Sequence, residues 1–109
     1  MTLDEYQKKA LRTASPKTKL NELFHLVLGL NGEAGEVAEK IKKIVRDEQS
    51  DFSKLDQDDI NKELGDVLWH VAVLADYFDI KLDDVASANI KKLASRQRRG
   101  KLTGSGDHR

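Results

Sequence analysis

Two pairs of acidic residues, Glu33 with Glu36 and Glu63 with Asp66, are the feature of this chain best suited to chemistry. Within each pair the residues are three positions apart in a stretch of helical periodicity, so both carboxylates point to one side of a helix. The segment between the pairs is long enough to end one helix, turn, and bring a second helix back antiparallel. Four carboxylates on two facing helices would then converge, and they would repel one another unless a cation lay between them.

The acidic pairs predict a metal site with oxygen ligands only. On a helical wheel the acids flank the apolar stripes of their helices, where an unpaired charge is unfavourable. Hard oxygen ligands suit Mg²⁺, with Mn²⁺ as a possible substitute, and Mg²⁺ commonly bridges carboxylates to substrate phosphates. The alternative is a solvated acidic face neutralised by lysines. We therefore expect a metal site, with these ligands: Glu33, Glu36, Glu63 and Asp66.

The composition narrows the class of protein. The 109 residues fit one domain, and the 19 basic and 19 acidic residues cancel, which argues against a surface that coats nucleic acid. The absence of cysteine excludes disulfides, thiol catalysis and zinc–thiolate sites. No signal peptide and no apolar run of membrane-spanning length is present. We expect a cytoplasmic protein without a nucleic-acid polymer or a membrane as partner.

Apolar periodicity predicts an all-α, four-helix protomer. The expected helices cover about residues 3–13, 19–46, 59–78 and 82–98, and the polar residues 47–58 form a loop. The second helix carries an apolar stripe with these members: Leu20, Leu23, Val27, Leu30, Ala34, Val37, Ile41 and Ile44. Because the chain is short and 35% charged, its helical-bundle core is thin, and we expect oligomerisation to complete it.

Several residues near the acidic pairs invite a role in binding. Gly29, Gly32 and Gly35 lie inside the second helix, where each lowers helix stability. We interpret them as positions where a backbone or ligand approaches closely; a locally weak or kinked helix is the alternative. Lys40 lies on the same flank as the second helix's acids, and His70 lies beside those of the third. Trp69 projects away from the third helix's stripe, so we expect it to be exposed, as an oligomer contact or as a stacking surface for a base.

The fourth helix and the tail complete the candidate set. Asn89, Lys92 and Arg96 share one helix face and could meet phosphate oxygens, although a basic helix end that favours the macrodipole is an equal alternative. We assign residues 1–99 to the domain and 100–109 to a flexible tail. Backbone N–H groups near Ser105, together with Arg109, could close over bound polyphosphate; plain terminal disorder is the alternative.

Two segments resemble MazG-like nucleotide pyrophosphohydrolases of the all-α superfamily. They are Gly29-Leu-Asn-Gly-Glu-Ala-Gly-Glu-Val-Ala-Glu-Lys-Ile-Lys-Lys43 and Lys62-Glu-Leu-Gly-Asp-Val-Leu-Trp69, and residues 89–96 resemble the segment that follows in many members. The resemblance covers about residues 20–98. The tail end, residues 104–109, is also similar to that of some short phage and bacterial members.

The resemblance implies hydrolysis of a nucleoside triphosphate between its α and β phosphates, giving a monophosphate and pyrophosphate. It implies metal ligation by the four acids, with Glu36 and Glu33 as the catalytic carboxylates and Glu36 favoured as proton acceptor. Other residues would bind the substrate. The phosphates would contact Lys40, Asn89, Lys92 and Arg96, and the nucleoside would lie near Trp69 or His70. Family members assemble as dimers or tetramers, so we expect a homodimer or homotetramer.

Two alternatives stay open. Phosphoribosyl-ATP pyrophosphohydrolase is a relative with the same chemistry, and the segment from Asp66 to Leu74 is somewhat similar to it. A helical interaction module without catalysis is the second alternative, although the presence of all four acids argues against it. The base and sugar preference of an enzyme is not encoded in these motifs.

Overall fold

The computed structural model of the chain describes residues 1–109 and is entirely helical, which confirms the predicted all-α, four-helix protomer. Two short 3₁₀ turns, Leu11–Thr13 and Phe52–Lys54, follow α1 and α2 respectively. The four α-helices, numbered in chain order, have these bounds: α1 Leu3–Ala10, α2 Glu22–Asp47, α3 Gln57–Tyr77 and α4 Leu82–Arg98.

Local signals explain where most helices begin. Thr2 and Glu5 form a reciprocal capping box at α1, and the Asp56 carboxylate caps α3 by accepting from the Asp58 N–H. The cap at Asp56 starts α3 at Gln57, slightly before the predicted Asp59. Asn21 has a left-handed backbone with φ of 63°, so α2 begins at Glu22 and not near Lys19.

Helices α2 and α3 form an antiparallel pair that runs through most of the molecule. Lys40 of α2 faces Asp59 and Glu63 of α3, whereas Gly29 of α2 faces His70 of α3. Residue numbers therefore increase in opposite directions along the two helices. This arrangement brings the two acidic pairs to one stretch of the interface. The hairpin predicted from the spacing of the pairs is therefore present.

Helix α1 packs across the end of this pair and encloses the core. Ala10, Leu26, Ala72, Val73 and Leu82 form one buried cluster that draws on all four helices. Leu26 is only 2% exposed. It lies outside the predicted apolar stripe of the second helix and is buried in this cluster by residues of the other helices.

Gln7 of α1 holds three chain segments together. Its amide nitrogen donates to the carbonyl oxygens of Ala72 and Ile80, and its amide oxygen accepts from the N–H of Leu82, each at 3.0 Å. The carboxylate of Asp4 accepts from the N–H of Asp83 at the same distance. Lys81 provides no side-chain cap for α4. The N–H groups of Leu82 and Asp83 donate instead to side chains of α1.

Only 10 of the 109 residues are buried, so a large apolar surface remains exposed. The radius of gyration is 16.9 Å, against about 13 Å for a compact domain of this length. The predicted stripe is wrong at these residues, which are exposed: Leu20, Val27, Ala34 and Ile41. Phe24 at 66% and Leu28 at 68% exposure lie one turn apart on an uncovered side of α2, and Leu20, just before the helix, is 86% exposed.

The C-terminal segment folds back on the end of α4. Arg109 donates to the carbonyl oxygens of Lys101, Leu102 and Gly106, which closes residues 101–109 into a compact loop. Gly104 and Gly106 have φ of 119° and 83°, a backbone conformation that other residues rarely adopt. The flexibility expected of this tail stays a prediction.

None of the helices combines the length and the apolar character needed to cross a membrane.

Candidate functional site

Three of the four predicted metal ligands come together between α2 and α3. Glu33, Glu63 and Asp66 each offer a carboxylate oxygen, and these three atoms lie within 4.8 Å of one another. Glu33 and Glu63 are half-buried, whereas Asp66 is exposed at the opening of the cluster. Three formal negative charges at this separation repel strongly, so the arrangement favours a bound cation.

Lys40 supplies the nearest positive charge. Its ammonium nitrogen lies 3.5 Å from a carboxylate oxygen of Asp59 and 4.0 Å from one of Glu63. The contact to Glu63 is the longer of the two, and Lys40 has no ion pair with Glu33 or Asp66. One lysine thus offsets only part of the negative charge at the cluster.

Glu36 is placed apart from the other three acids. It is exposed, and its carboxylate is not within the 4.8 Å group formed by Glu33, Glu63 and Asp66. One helical turn separates it from Glu33, so both residues lie on the same side of α2. Its side chain has neither a hydrogen bond nor an ion pair, which leaves the carboxylate free. Whether Glu36 binds metal stays a prediction.

His70 is held at the interface between α2 and α3. Its Nδ1 lies 2.9 Å from the carbonyl oxygen of Asp66, one turn earlier in α3. A carbonyl only accepts, so Nδ1 carries a proton and donates it to this hydrogen bond. The ring packs against the backbone at Gly29, where a Cβ would overlap Nε2. The first of the three glycines therefore does serve close approach, although to a side chain of the protein.

Trp69 corrects one expectation. The prediction that it is exposed is wrong, because it is half-buried and packs against the core cluster. Its indole N–H donates to the carbonyl oxygen of Ala10 at 3.1 Å and to the Thr13 hydroxyl at 2.8 Å. The sequence pattern along α3 alone could not reveal this position, because α1 arrives from a distant part of the chain. A role near the nucleoside stays a prediction.

The residues predicted to bind phosphate on α4 make no hydrogen bond or ion pair with the acidic cluster. Asn89 is exposed, Lys92 is half-buried and Arg96 is only 4% exposed. Lys92 and Arg96 direct their hydrogen bonds to the C-terminal loop, where both contact the carboxylate of Asp107 at 3.2 Å. Within one chain, the ion pairs of Lys92 and Arg96 are both with Asp107 and not with the acids between α2 and α3.

Tyr6 is a neighbour of the site that sequence reasoning missed. It packs against the core from α1, and burial, followed by the negative charge of Asp66, raises the pKa of its phenol. No local pattern links α1 to the acids of α3, since only the packing of α1 across α3 brings the two together.

Comparison with known proteins places most of the chain in one family. Residues 22–100 match the MazG nucleotide pyrophosphohydrolase domain. The Gene 37 protein of Mycobacterium phage L5 is 43% identical over 114 aligned positions that cover all of both chains. The uncharacterized protein YvdC of Bacillus subtilis strain 168 is 36% identical over 69 positions, 59% of this chain and 65% of YvdC. No solved structure matches the chain.

Proposed function

This chain belongs to the MazG nucleotide pyrophosphohydrolase family, and we propose that it hydrolyses nucleoside triphosphates to nucleoside monophosphates and pyrophosphate. Water adds across the anhydride bond between the α and β phosphates, so its oxygen remains on one of the two products. The convergence of Glu33, Glu63 and Asp66 within 4.8 Å on two facing helices is the observation that carries this proposal.

The ligand set favours Mg²⁺, with Mn²⁺ as a substitute. All three ligands are carboxylates, the chain has no cysteine, and Nδ1 of His70 is engaged by the Asp66 carbonyl. Hard oxygen ligands without imidazole or thiolate suit Mg²⁺ and Mn²⁺ better than zinc. A divalent cation at this cluster would neutralise the polyphosphate and make a bound water more acidic.

We assign proton transfer to Glu36, with Glu33 as the other catalytic carboxylate. Glu36 lies one turn from Glu33 and is exposed, and no other side chain pairs with it. A carboxylate in this state is able to accept a proton from the attacking water beside the cluster. Glu33 would share in holding the cation that orients the same water.

Charges around the cluster suit a polyphosphate. Lys40 lies at the edge of the acids and would contact a phosphate oxygen once a cation has offset the charge of Glu63. We assign Asn89, Lys92 and Arg96 to phosphate binding as well, and His70 and Trp69 to the side of the nucleoside. No hydrogen bond or ion pair joins α4 to the acidic cluster within one chain, which favours an assembly, a homodimer or homotetramer, in which one copy's α4 serves another copy's cluster.

Release of pyrophosphate in the presence of Mg²⁺ or Mn²⁺ tests the proposal. The canonical ribo- and deoxyribonucleoside triphosphates are supplied in parallel, with phosphoribosyl-ATP as a separate substrate. We expect equal amounts of monophosphate and pyrophosphate, and no turnover in EDTA. Exclusive use of phosphoribosyl-ATP would assign the chain to the related histidine-pathway activity. No pyrophosphate from any substrate would leave a helical interaction module as the remaining function.

A further inference from the structure

The C-terminal loop places a negative charge on two cations of α4. Both Nζ of Lys92 and Nη2 of Arg96 contact the same oxygen, Oδ1 of Asp107, each at 3.2 Å. Lys92 and Arg96 are four residues apart, so they lie on one helix face and present their charges to one point. A single carboxylate oxygen thus receives two charged donors.

Arg96, near the C-terminal end of α4, is unusually buried for an arginine, with only 4% of its surface exposed. Its Nη2 donates to Asp107 and also to the carbonyl oxygen of Gly106 at 3.4 Å, which uses both hydrogens of that nitrogen. Its Nε is buried and has no hydrogen-bond partner. A buried guanidinium with an unpaired donor is unfavourable, and an anion with several oxygens would satisfy it more fully than Asp107 does.

Several contacts hold the loop in the shape that presents Asp107. The guanidinium of Arg109 donates to three loop carbonyls, and the carbonyl oxygen of Arg109 accepts from the guanidinium of Arg99, at the C-terminal end of α4, at 2.9 Å. Asp107 itself is 78% exposed, so nothing but the two cations retains its side chain. The contact is therefore specific in geometry and weak enough to exchange.

We propose that the C-terminal loop is an intramolecular competitor for polyphosphate, in which Asp107 occupies the anion site formed by Lys92 and Arg96 until a phosphate group displaces it. This inference rests on the proposed function for the identity of the ligand. A phosphate cannot bind Nη2 of Arg96 while Asp107 and Gly106 use both of its hydrogens. Binding at this site and release of the loop are consequently one event.

Titration of the full-length protein with inorganic pyrophosphate in EDTA tests this inference independently of catalysis. Without a metal the acidic cluster repels the anion, so binding reports on the cations of α4. The Nε–H signal of Arg96 and the backbone amides of Gly104 and Gly106 are followed by NMR. We expect the Arg96 signal to shift and the loop amides to become mobile in the same concentration range.

Three substitutions test whether Asp107 competes with pyrophosphate for Lys92 and Arg96. Asp107→Asn should bind pyrophosphate about threefold more tightly or better, since two partly exposed ion pairs no longer compete. Asp58→Asn is the matched control, because it also removes one negative charge while its side chain makes no hydrogen bond or ion pair. Lys92→Met should weaken binding in both the native and the Asp107→Asn backgrounds without disturbing the buried Arg96.

Three results would overturn the proposal. The first is an unchanged affinity in Asp107→Asn. The second is loop amides that stay ordered while pyrophosphate binds, which a loop that closes over the ligand predicts. The third is no binding by any variant, including a chain shortened at residue 100, which would show that Lys92 and Arg96 form no anion site. None of these results bears on hydrolysis at Glu33, Glu63 and Asp66.

Discussion

The imidazole of His70 fills the space that a side chain at position 29 would need, on the helix that faces it. Because Nδ1 of His70 is bonded to the carbonyl of Asp66, this contact ties the backbone of α2 to the residue that carries one candidate metal ligand. The separation of α2 and α3 at the acidic cluster therefore depends on a glycine that carries no functional group.

Gly29→Ala tests this dependence. The added methyl group would displace the ring or spread the helices at a cost of about 1–3 kcal/mol, which the gain in helix propensity of about 1 kcal/mol offsets in part. We expect Gly29→Ala to melt below both the native chain and Gly32→Ala, as measured by thermal circular dichroism. Gly32→Ala is the control on the same helix, because nothing lies within 4 Å of its Cβ position. Better helix propensity should make that variant as stable as the native chain or more so.

Asp66→Asn and Glu36→Gln separate metal binding from proton transfer. Asp66→Asn should abolish Mn²⁺ binding in a calorimetric titration and lower turnover by about a hundredfold or more. Removing one of three repelling charges should also leave the metal-free protein at least as stable. Glu36→Gln should lose turnover, with a smaller loss of Mn²⁺ affinity than Asp66→Asn because Glu36 lies outside the close group of carboxylates. Near-native activity in both variants would contradict the assignment of this site.

Gln7→Leu tests how α4 is attached to the rest of the fold. It leaves the buried N–H of Leu82 without a partner and removes the additional hydrogen bond from Gln7 to the Ala72 carbonyl of α3. We expect denaturant unfolding to show a loss of about 1–3 kcal/mol, the cost of one buried group left unpaired. Gln97→Leu, on the exposed side of α4, makes the same chemical change and should have little effect.

The exposed face of α2 predicts self-association. Phe24 and Leu28 are one turn apart and both mostly exposed, which an isolated small protein rarely tolerates on one stripe. Light scattering at micromolar concentration should give a mass of at least twice 12.3 kDa. Phe24→Glu should shift it toward the monomer, whereas Lys42→Glu, on an exposed position of α2 further along, should not. A native mass of one chain would exclude the predicted homodimer and homotetramer.

Acidification should release the C-terminal loop. Hydrogen bonds from Lys92 and then Arg96 lower the pKa of Asp107 from its ordinary value of 3.8. A carboxylate whose pKa is lowered by a contact stabilises that contact fully above its ordinary pKa and loses it as the pH falls through the lowered value. The loop amides should therefore stay ordered at neutral pH and become mobile only below about pH 4. Asp107→Asn should remove this transition from the NMR spectra.

Much of the fold was predictable because its causes are local. Apolar residues every three or four positions specify α2 and α3, and Asp56 and Thr2 place helix starts within a few residues. The spacing of the two acidic pairs was enough to predict that Glu33, Glu63 and Asp66 face one another, since an antiparallel hairpin has few alternatives. The resemblance to the MazG family then suggested which reaction these carboxylates could serve, the hydrolysis of a nucleoside triphosphate.

Tertiary structure alone decided how α1, α4 and the tail are arranged. Trp69 is half-buried because Ala10 and Thr13 accept its N–H from far along the chain, and Leu26 is buried in a cluster to which all four helices contribute. The partners of Gln7 and Arg96 likewise lie in other segments, so no periodicity within one helix could reveal them. A repeating pattern specifies which side of a helix is apolar, whereas the choice of what covers that side depends on contacts between segments distant in sequence.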